Sequence, residues 1–292
     1  MRVSNMIAFV SGAVLSLVLA AGGFSIAAPG TTAAAPSGPF DGTTPALTLQ
    51  PPRFVIGSSI DATDPDPNGC DLWHVAIPME LRWTASDTGS GLAGFQIYTV
   101  LSFDEPETQE LPVTTRSHRF NAGDYDSDCG GGSTDATYQV IAKDNFGGSA
   151  TSTRSSQQVL VWQEDGTNLG RPDTFPIAVS TTRSGSWSTS NCLCFDGRKT
   201  AYTTQSGASM TFNVTGARRL ALVMPKNTNR GQVGISVDGA TPTTVDTYAA
   251  SAQNRVMVWQ IEFPSTSAHQ VVITNKATAG RSRVDIDAVV VQ

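Results

Sequence analysis

Asp285 and Asp287 stand two apart in the C-terminal run Arg-Val-Asp-Ile-Asp-Ala-Val-Val-Val, so in an extended chain both carboxylates point to one face. Two carboxyl groups flanking one bond, one of them protonated, are what glycoside hydrolysis requires, and Asp238 and Asp246 complete the set of acidic candidates. A paired Asp-x-Asp in a terminal strand is more often structural, and a motif without context is a weak signal, so no catalytic residue is assigned. A serine hydrolase is disfavoured. No Gly-x-Ser-x-Gly occurs, and His74, His118 and His269 have no nucleophile close by in sequence. Zinc is weaker still, because Cys192-x-Cys194 has no matching pair. The acidic turn Asp61, Asp64, Asp66 and Asn68 lacks the spacing and the glycine of a calcium loop. No metal, no cofactor and no enzymatic activity are therefore expected.

Binding asks for less: an aromatic face and a few groups that fix hydroxyls. In the second half of the chain the aromatics are Trp187, Tyr202, Tyr248 and Trp259, with Asn191, Asp196, Arg198, Asn227, Asn229 and Arg230 on loops. Trp259 alternates with Met257 and Ile261 in an apolar run, which favours the core. Trp187, Tyr248, Asn229 and Arg230 are the ligand-binding candidates.

The elements that must position them are strands. Apolar and polar residues alternate with period two along most of the chain, and no stretch shows the 3.6 period of an amphipathic helix. Val233, Ile235 and Val237 are expected on one face of a strand, and Val284, Ile286, Ala288 and Val290 on one face of another. Strands are expected over 47–56, 74–84, 93–101, 117–120, 136–143 and 149–153 in a first unit. In a second unit they are expected over 177–182, 199–204, 209–214, 220–224, 232–238, 243–247, 255–263, 270–275 and 283–291. The fold class that follows is all-β, two antiparallel β-sandwiches in tandem after a signal peptide. The expected boundaries are a signal peptide 1–27, a flexible linker 28–45, a sandwich 46–163, a hinge 164–173 and a jelly-roll sandwich 174–292. A hinge that short implies that the two sandwiches touch.

Two resemblances sharpen this reading. Leu81-Arg-Trp-Thr-Ala-Ser-Asp87, Gly94-Phe-Gln-Ile-Tyr98 and Thr137-Tyr-Gln-Val-Ile-Ala-Lys-Asp-Asn-Phe-Gly-Gly148 resemble a bacterial fibronectin type III or immunoglobulin-like domain. The resemblance implies that Trp83 and Tyr138 pack in the core. The insertion 121–135, carrying Cys129, is longer than that family's loop. Ser184 to Ser188, Ala208 to Gly216, Arg230 to Gly239, Thr244 to Tyr248 and Val284 to Ala288 occur in the order seen in galactose-binding-like domains of exported actinobacterial proteins. That resemblance implies a carbohydrate-binding-module-like fold. Cys192-Leu-Cys-Phe195 departs from it, where glycines and serines are expected, and reshapes the loop after Trp187.

Compartment and charge narrow the partners. Arg2, the apolar run Met6 to Ala21 and the small residues Ser25-Ile-Ala27 read as a secretory leader, with an uncleaved membrane anchor as the alternative. The expected location is secreted, with membrane contact only through an uncleaved leader. The chain carries 25 acidic and 19 basic residues, net −6, which argues against a nucleic-acid partner. Four cysteines in an exported chain favour disulfides, and their grouping favours Cys70 with Cys129 and Cys192 with Cys194. Free thiols at Cys192 and Cys194, or crossed bridges, remain open. The expected function is weak, non-catalytic binding of a polysaccharide or cell-wall glycan by the C-terminal sandwich, with the N-terminal one as spacer. The alternatives are a structural or adhesion protein contacting extracellular proteins, and a glycoside hydrolase or an accessory part of one.

Overall fold

The computed structural model describes residues 43–62, 75–100, 107–124, 135–153, 155–167 and 176–292. The leader, the linker up to residue 42, most of the acidic turn, Cys70 and Cys129 lie outside these residues, and so does the bridge expected between those two cysteines. Among the described residues no helix is long and apolar enough to cross a membrane. Strands dominate the described residues, with a 3-10 turn at Asp196–Arg198.

Among the described residues the first sandwich holds β1 Ala46–Phe54, β2 Asp61–Ala62, β3 Val75–Ser86, β4 Leu92–Val100, β5 Glu107–Pro112, β6 Ser117–Asp124, β7 Asp135–Asp144, β8 Ser149–Thr151 and β9 Ser155–Gln158. One sheet sets β3 between β1 and β6, with β2 on the end of β3; the other runs β5-β4-β7, with β8 and β9 both pairing β7. The alternation of the sequence closes a core between them from Leu81, Trp83, Phe95, Ile97, Tyr138, Val140 and Ala142. Trp83 and Tyr138 are buried as expected, and Trp83 meets Phe95 edge to face at 5.5 Å. The Asp-Asn-Phe-Gly-Gly turn closes because Asp144 Oδ1 accepts from Phe146 N and Gly148 N, each at 2.8 Å.

The second sandwich holds β10 Leu160–Gln163, β11 Ala178–Ser184, β12 Ser188–Asn191, β13 Lys199–Thr203, β14 Ser209–Thr215, β15 Arg219–Lys226, β16 Gln232–Val237, β17 Thr243–Asp246, β18 Gln253–Glu262, β19 His269–Asn275, β20 Val284–Ile286 and β21 Ala288–Val291. Its sheets run β10-β21-β15-β18, β11-β14-β19-β16-β17 and β12-β13-β20. Phe212, Met210, Leu220, Leu222, Ile235, Val271, Ile273 and Ile286 fill the space between them.

The expected boundary at 163/164 gives way here. Leu160–Gln163 pairs antiparallel with β21, Leu160 opposite Val291 and Gln163 opposite Ala288, so this strand belongs to the second sandwich. The chain crosses from one sandwich to the other at Val159, ahead of the expected hinge, whose residues 168–173 lie outside the described residues. Phe54, Ile60, Ile77, Met79, Ala122 and Val159 of the first sandwich pack on Ala221, Val223, Met257, Ala288 and Val290 of the second in one shared core. Backbone bonds stitch the same seam: Gly57 N to Met257 O, Met257 N to Ser58 O and Ile60 N to Arg255 O, each at 2.9 Å. The described residues belong to a single compact unit.

The expected common face of Val284, Ile286, Ala288 and Val290 is corrected as well. The strand breaks at Asp287, where the chain leaves the β13 sheet for the β15 sheet. After the break Val289 and Val291 join Val284 and Ile286 inside the second sandwich, and Ala288 and Val290 turn to the first. A similar slip occurs in β18, where Val223 faces Met257 and Leu222 faces Trp259, leaving Val258 bulged. Met257 therefore packs between the sandwiches, and Trp259 and Ile261 pack on the inner core.

Candidate functional site

β13 and β20 put Tyr202 directly opposite Asp285, so the two side chains share a face. Arg283 lies one residue before β20. Its guanidinium sits over the Tyr202 ring at 3.9 Å, and its Nη2 donates to Asp285 Oδ1 at 2.6 Å. Arg230, from the turn between β15 and β16, reaches the same carboxylate. Its Nη2 donates to Oδ1 at 3.3 Å, and Nε lies 2.5 Å from Oδ2 without the alignment of a hydrogen bond. Asn229 Oδ1 accepts from Arg230 Nη1. Arg281 extends the array: Nη1 donates to Arg230 O at 2.9 Å and to Asp246 Oδ1 at 2.8 Å, and Nη2 donates to Asp246 Oδ2 at 3.1 Å. Its guanidinium lies over the Tyr248 ring at 5.0 Å.

Gly231 makes this convergence possible. Its N donates to Arg283 O at 2.8 Å, and its carbonyl accepts from Thr247 N and Thr247 Oγ1. A Cβ at this position would overlap the Arg281 carbonyl, so only glycine lets the start of β16 approach the 281–283 segment.

The electrostatics are graded from inside to outside. Asp285 is fully buried between Arg230 and Arg283, and burial pulls the Arg230 guanidinium below its usual range against the pull of Asp285. At the outer end the Arg281 hydrogen bonds hold the Asp246 carboxyl down at about 2. Three guanidiniums against two carboxylates leave the array with one surplus positive charge. Tyr248 is 47% exposed, so the array ends in an open ring beside ion-paired donors. Such a rim can stack on an apolar C–H face and hydrogen-bond hydroxyls.

Of the sequence candidates, Tyr248, Asn229 and Arg230 come together. Trp187 stands apart: its ring packs on the core of the second sandwich, and its Nε1 donates to Ser184 O at 3.1 Å. Arg281 and Arg283 were missed, although Arg281, Arg283 and Asp285 at spacing two already mark one face of an extended chain.

The hydrolase candidates separate. Asp285 and Asp287 share no site, because the break at Asp287 turns its carboxylate toward Asp196, whose N donates to Asp287 Oδ1 at 3.0 Å. Asp238, His269 and Ser267 do meet in space, with His269 Nδ1 2.8 Å from Asp238 Oδ2 and Nε2 3.5 Å from Ser267 Oγ. Nε2 lies nearer to the Ser265 carbonyl, at 3.1 Å, and both ring nitrogens face oxygens that only accept, Asp238 Oδ2 and Ser265 O, so the ring is not oriented as a base toward Ser267. The ring is fixed by stacking on Phe263 at 4.3 Å. The group is a clasp between β19 and the turns beside it.

A second polar cluster lies beneath the 3-10 turn. Gln163 Nε2 donates to Asp196 Oδ2, Glu164 N donates to Asp287 O at 3.1 Å, and Gln163 Oε1, Glu164 Oε2 and Asp287 Oδ2 are buried without partners. Burial pushes the Asp196 carboxyl up to about 6 and those of Asp287 and Glu164 above their usual range. Among the described residues no group of three or more His, Cys, Asp or Glu side chains is placed to hold a metal ion. Just above this cluster Cys192 and Cys194 form the expected disulfide across one residue, and Leu193 between them is 69% exposed.

No family model and no curated protein sequence matches the chain. Solved structures give partial likenesses. The CBM36-1 domain of a multidomain xylanase from the hindgut metagenome of Trinervitermes trinervoides is 15% identical, over 46% of this chain and 97% of that one, with a TM-score of 0.32. The catalytic domain of a GH87 α-1,3-glucanase in complex with nigerose is 15% identical, over 46% of this chain and 28% of that one, with a TM-score of 0.31. An exo-β-1,3-galactanase from Phanerochaete chrysosporium is 13% identical, over 80% of this chain and 69% of that one, with a TM-score of 0.34. At these values the likenesses assign neither a family nor an activity.

Proposed function

We propose that the chain is a secreted, non-catalytic binding protein whose C-terminal sandwich holds a polysaccharide or cell-wall glycan at the Tyr248 end of the guanidinium array. The observation that carries this reading is the exposed Tyr248 ring, braced by Arg281, which is itself fixed by Asp246 and the Arg230 carbonyl. An open ring beside preorganised donors is what sugar recognition uses, and a site held rigid before binding loses little entropy on binding. The carboxylates of the array, Asp246 and Asp285, are each engaged by arginines, which supports binding over hydrolysis.

The test is a glycan array and polysaccharide pull-down with the full chain. Tyr248→Ala is expected to reduce retention about tenfold, the scale of one stacking contact, and to leave the fold intact because the ring is largely exposed. Retention equal to wild type in Tyr248→Ala overturns the assignment of the site. A second reading, protein adhesion, is favoured by Leu193, an exposed apolar side chain on a disulfide-closed turn. It gains if no glycan is retained and an extracellular protein partner is lost on Leu193→Ser.

A further inference from the structure

The guanidinium array repeats one unit twice, on residues two apart in an extended segment. In the outer unit Arg281 lies over the Tyr248 ring and is held by Asp246; in the inner unit Arg283 lies over the Tyr202 ring and is held by Asp285. Alternate positions of an extended chain face one way, about 6.6 Å apart, so the two guanidiniums are presented on the same side.

Their charge balance differs. Arg281 and Asp246 pair one to one, whereas Asp285 is shared by Arg283 and Arg230. One carboxylate cannot neutralise two guanidiniums, so the surplus positive charge belongs to the inner unit. Burial lowers the Arg230 guanidinium, Asp285 raises it, and the Arg283 charge lowers it again, the mark of like charges held together. The surplus reaches solvent through Arg283, whose side chain is 26% exposed against 10% for Arg230. Asp285 takes Arg283 Nε and Nη2, and Nη1 meets no acceptor among the described residues.

A solvated arginine at a strand end keeps its rotamer freedom. This one is fixed from two sides, by the ring at 3.9 Å and by a buried carboxylate along its edge, so its free donors are in place before any ligand arrives. Holding Asp285 needs one guanidinium, and the second is left for an anion from outside. A nucleic-acid backbone, charged at every step, needs a row of such cations. One uncompensated guanidinium on a chain of net charge −6 suits a ligand whose negative charges are isolated.

We propose that Arg283 binds a negatively charged substituent, a uronic-acid carboxylate or a phosphodiester, on the glycan that stacks at Tyr248. The inference rests on the glycan reading of this site and goes beyond it in naming an acidic glycan and the residue that selects it. A charge-assisted hydrogen bond is roughly twice as strong as a neutral one, so the acidic ligand is preferred over its neutral counterpart by about tenfold or more.

The experiment is calorimetry on the full chain with three probes. They are glucuronoxylan oligosaccharides bearing one glucuronic acid, the same oligosaccharides with the carboxyl group reduced to the alcohol, and a glycerol phosphate oligomer. Wild type is expected to bind at least one acidic probe about tenfold more tightly than the reduced oligosaccharide, with a preference that falls as salt is raised. The acidic probe that is preferred names the source of the charge. Arg283→Gln is expected to bring acidic and neutral affinities within about twofold of each other. Asp285 keeps Arg230 in this variant, so the buried carboxylate stays paired. If Arg283→Gln does not fold, the comparison of acidic and neutral probes on wild type decides. Equal binding of all three probes, weakened by Tyr248→Ala, overturns the inference and leaves the glycan reading standing. A preference for acid that survives in folded Arg283→Gln overturns it too, as does equal capture of polyglutamate, which would assign the cation to acidic peptides. Failure to bind any glycan removes the glycan reading and the inference together.

Discussion

At the scale of single residues, Asp285 shows why a carboxylate in a suggestive motif need not be chemical. It is fully buried, and its oxygens are taken up by Arg230 and Arg283. Replacing one partner of a buried ion pair leaves the other charge uncompensated, a loss of about 3 to 5 kcal/mol. Asp285→Asn is therefore expected to lower the urea midpoint sharply and to release Arg283 from Tyr202. A variant whose stability falls by less than about 1 kcal/mol would show that the pair is a bystander. The same substitution is a poor probe of hydrolysis, since any loss of turnover would follow from loss of structure.

The buried acids beside the disulfide carry the pH dependence. Burial raises the folded-state value of Asp196 from the ordinary 3.8 to about 6, and that of Asp287 is raised well above it. Both remain protonated in the fold at pH values where the unfolded chain has ionised them. Their contribution is complete below the ordinary value and is lost as pH rises through the folded-state value, so stability declines from about pH 4 to above pH 6. A rise of roughly two units in Asp196 corresponds to about 3 kcal/mol. With a chelator present, Asp196→Asn is expected to flatten that decline and to raise the midpoint at pH 7. Oxygen-only sets are also what hard cations take. A midpoint raised by calcium, with no decline in pH, would assign these oxygens to a cation in place of protons.

At the scale of elements, two one-residue slips decide which side chains face which core. The break at Asp287 and the bulge at Val258 each reverse the parity of a strand, turning Ala288, Val290 and Met257 toward the first sandwich. A period-two pattern predicts faces only while the ladder stays in register. Gly231 works at the same scale, since the approach of β16 to the 281–283 segment is what turns three separated arginines into one array.

At the scale of the whole molecule, the first sandwich is a cover for the second. β21 is buried on both faces because its outer side lies under Phe54, Ile77 and Met79. Folding of the two sandwiches should be coupled, and the chain is expected to unfold in one cooperative transition. A fragment 174–292 lacks β10 and exposes Ala221, Val223, Met257, Ala288 and Val290, so it is expected to aggregate or to melt without cooperativity. Its unfolding at the midpoint of the full chain, followed by circular dichroism in urea, would sink the shared-core account.

The sequence by itself determined the fold class, because alternation along each strand is a local property and survives any arrangement of the strands. It also placed Trp83 and Tyr138 in a core, favoured the bridge between Cys192 and Cys194 that the structure closes, and singled out Trp187, Tyr248, Asn229 and Arg230, whose types and loop positions are visible one residue at a time. What only the tertiary structure decided were relations between distant segments. Leu160–Gln163 belongs to the second sandwich because it pairs with a strand more than a hundred residues later. Arg281 and Arg283 join Arg230 only because β16 passes beside them, and Trp187 leaves the site because its ring finds a better home against the core. Local pattern fixes which side of a strand is apolar; which other surface covers it is settled by packing, where burial of the whole set of faces outweighs the preference of any one segment.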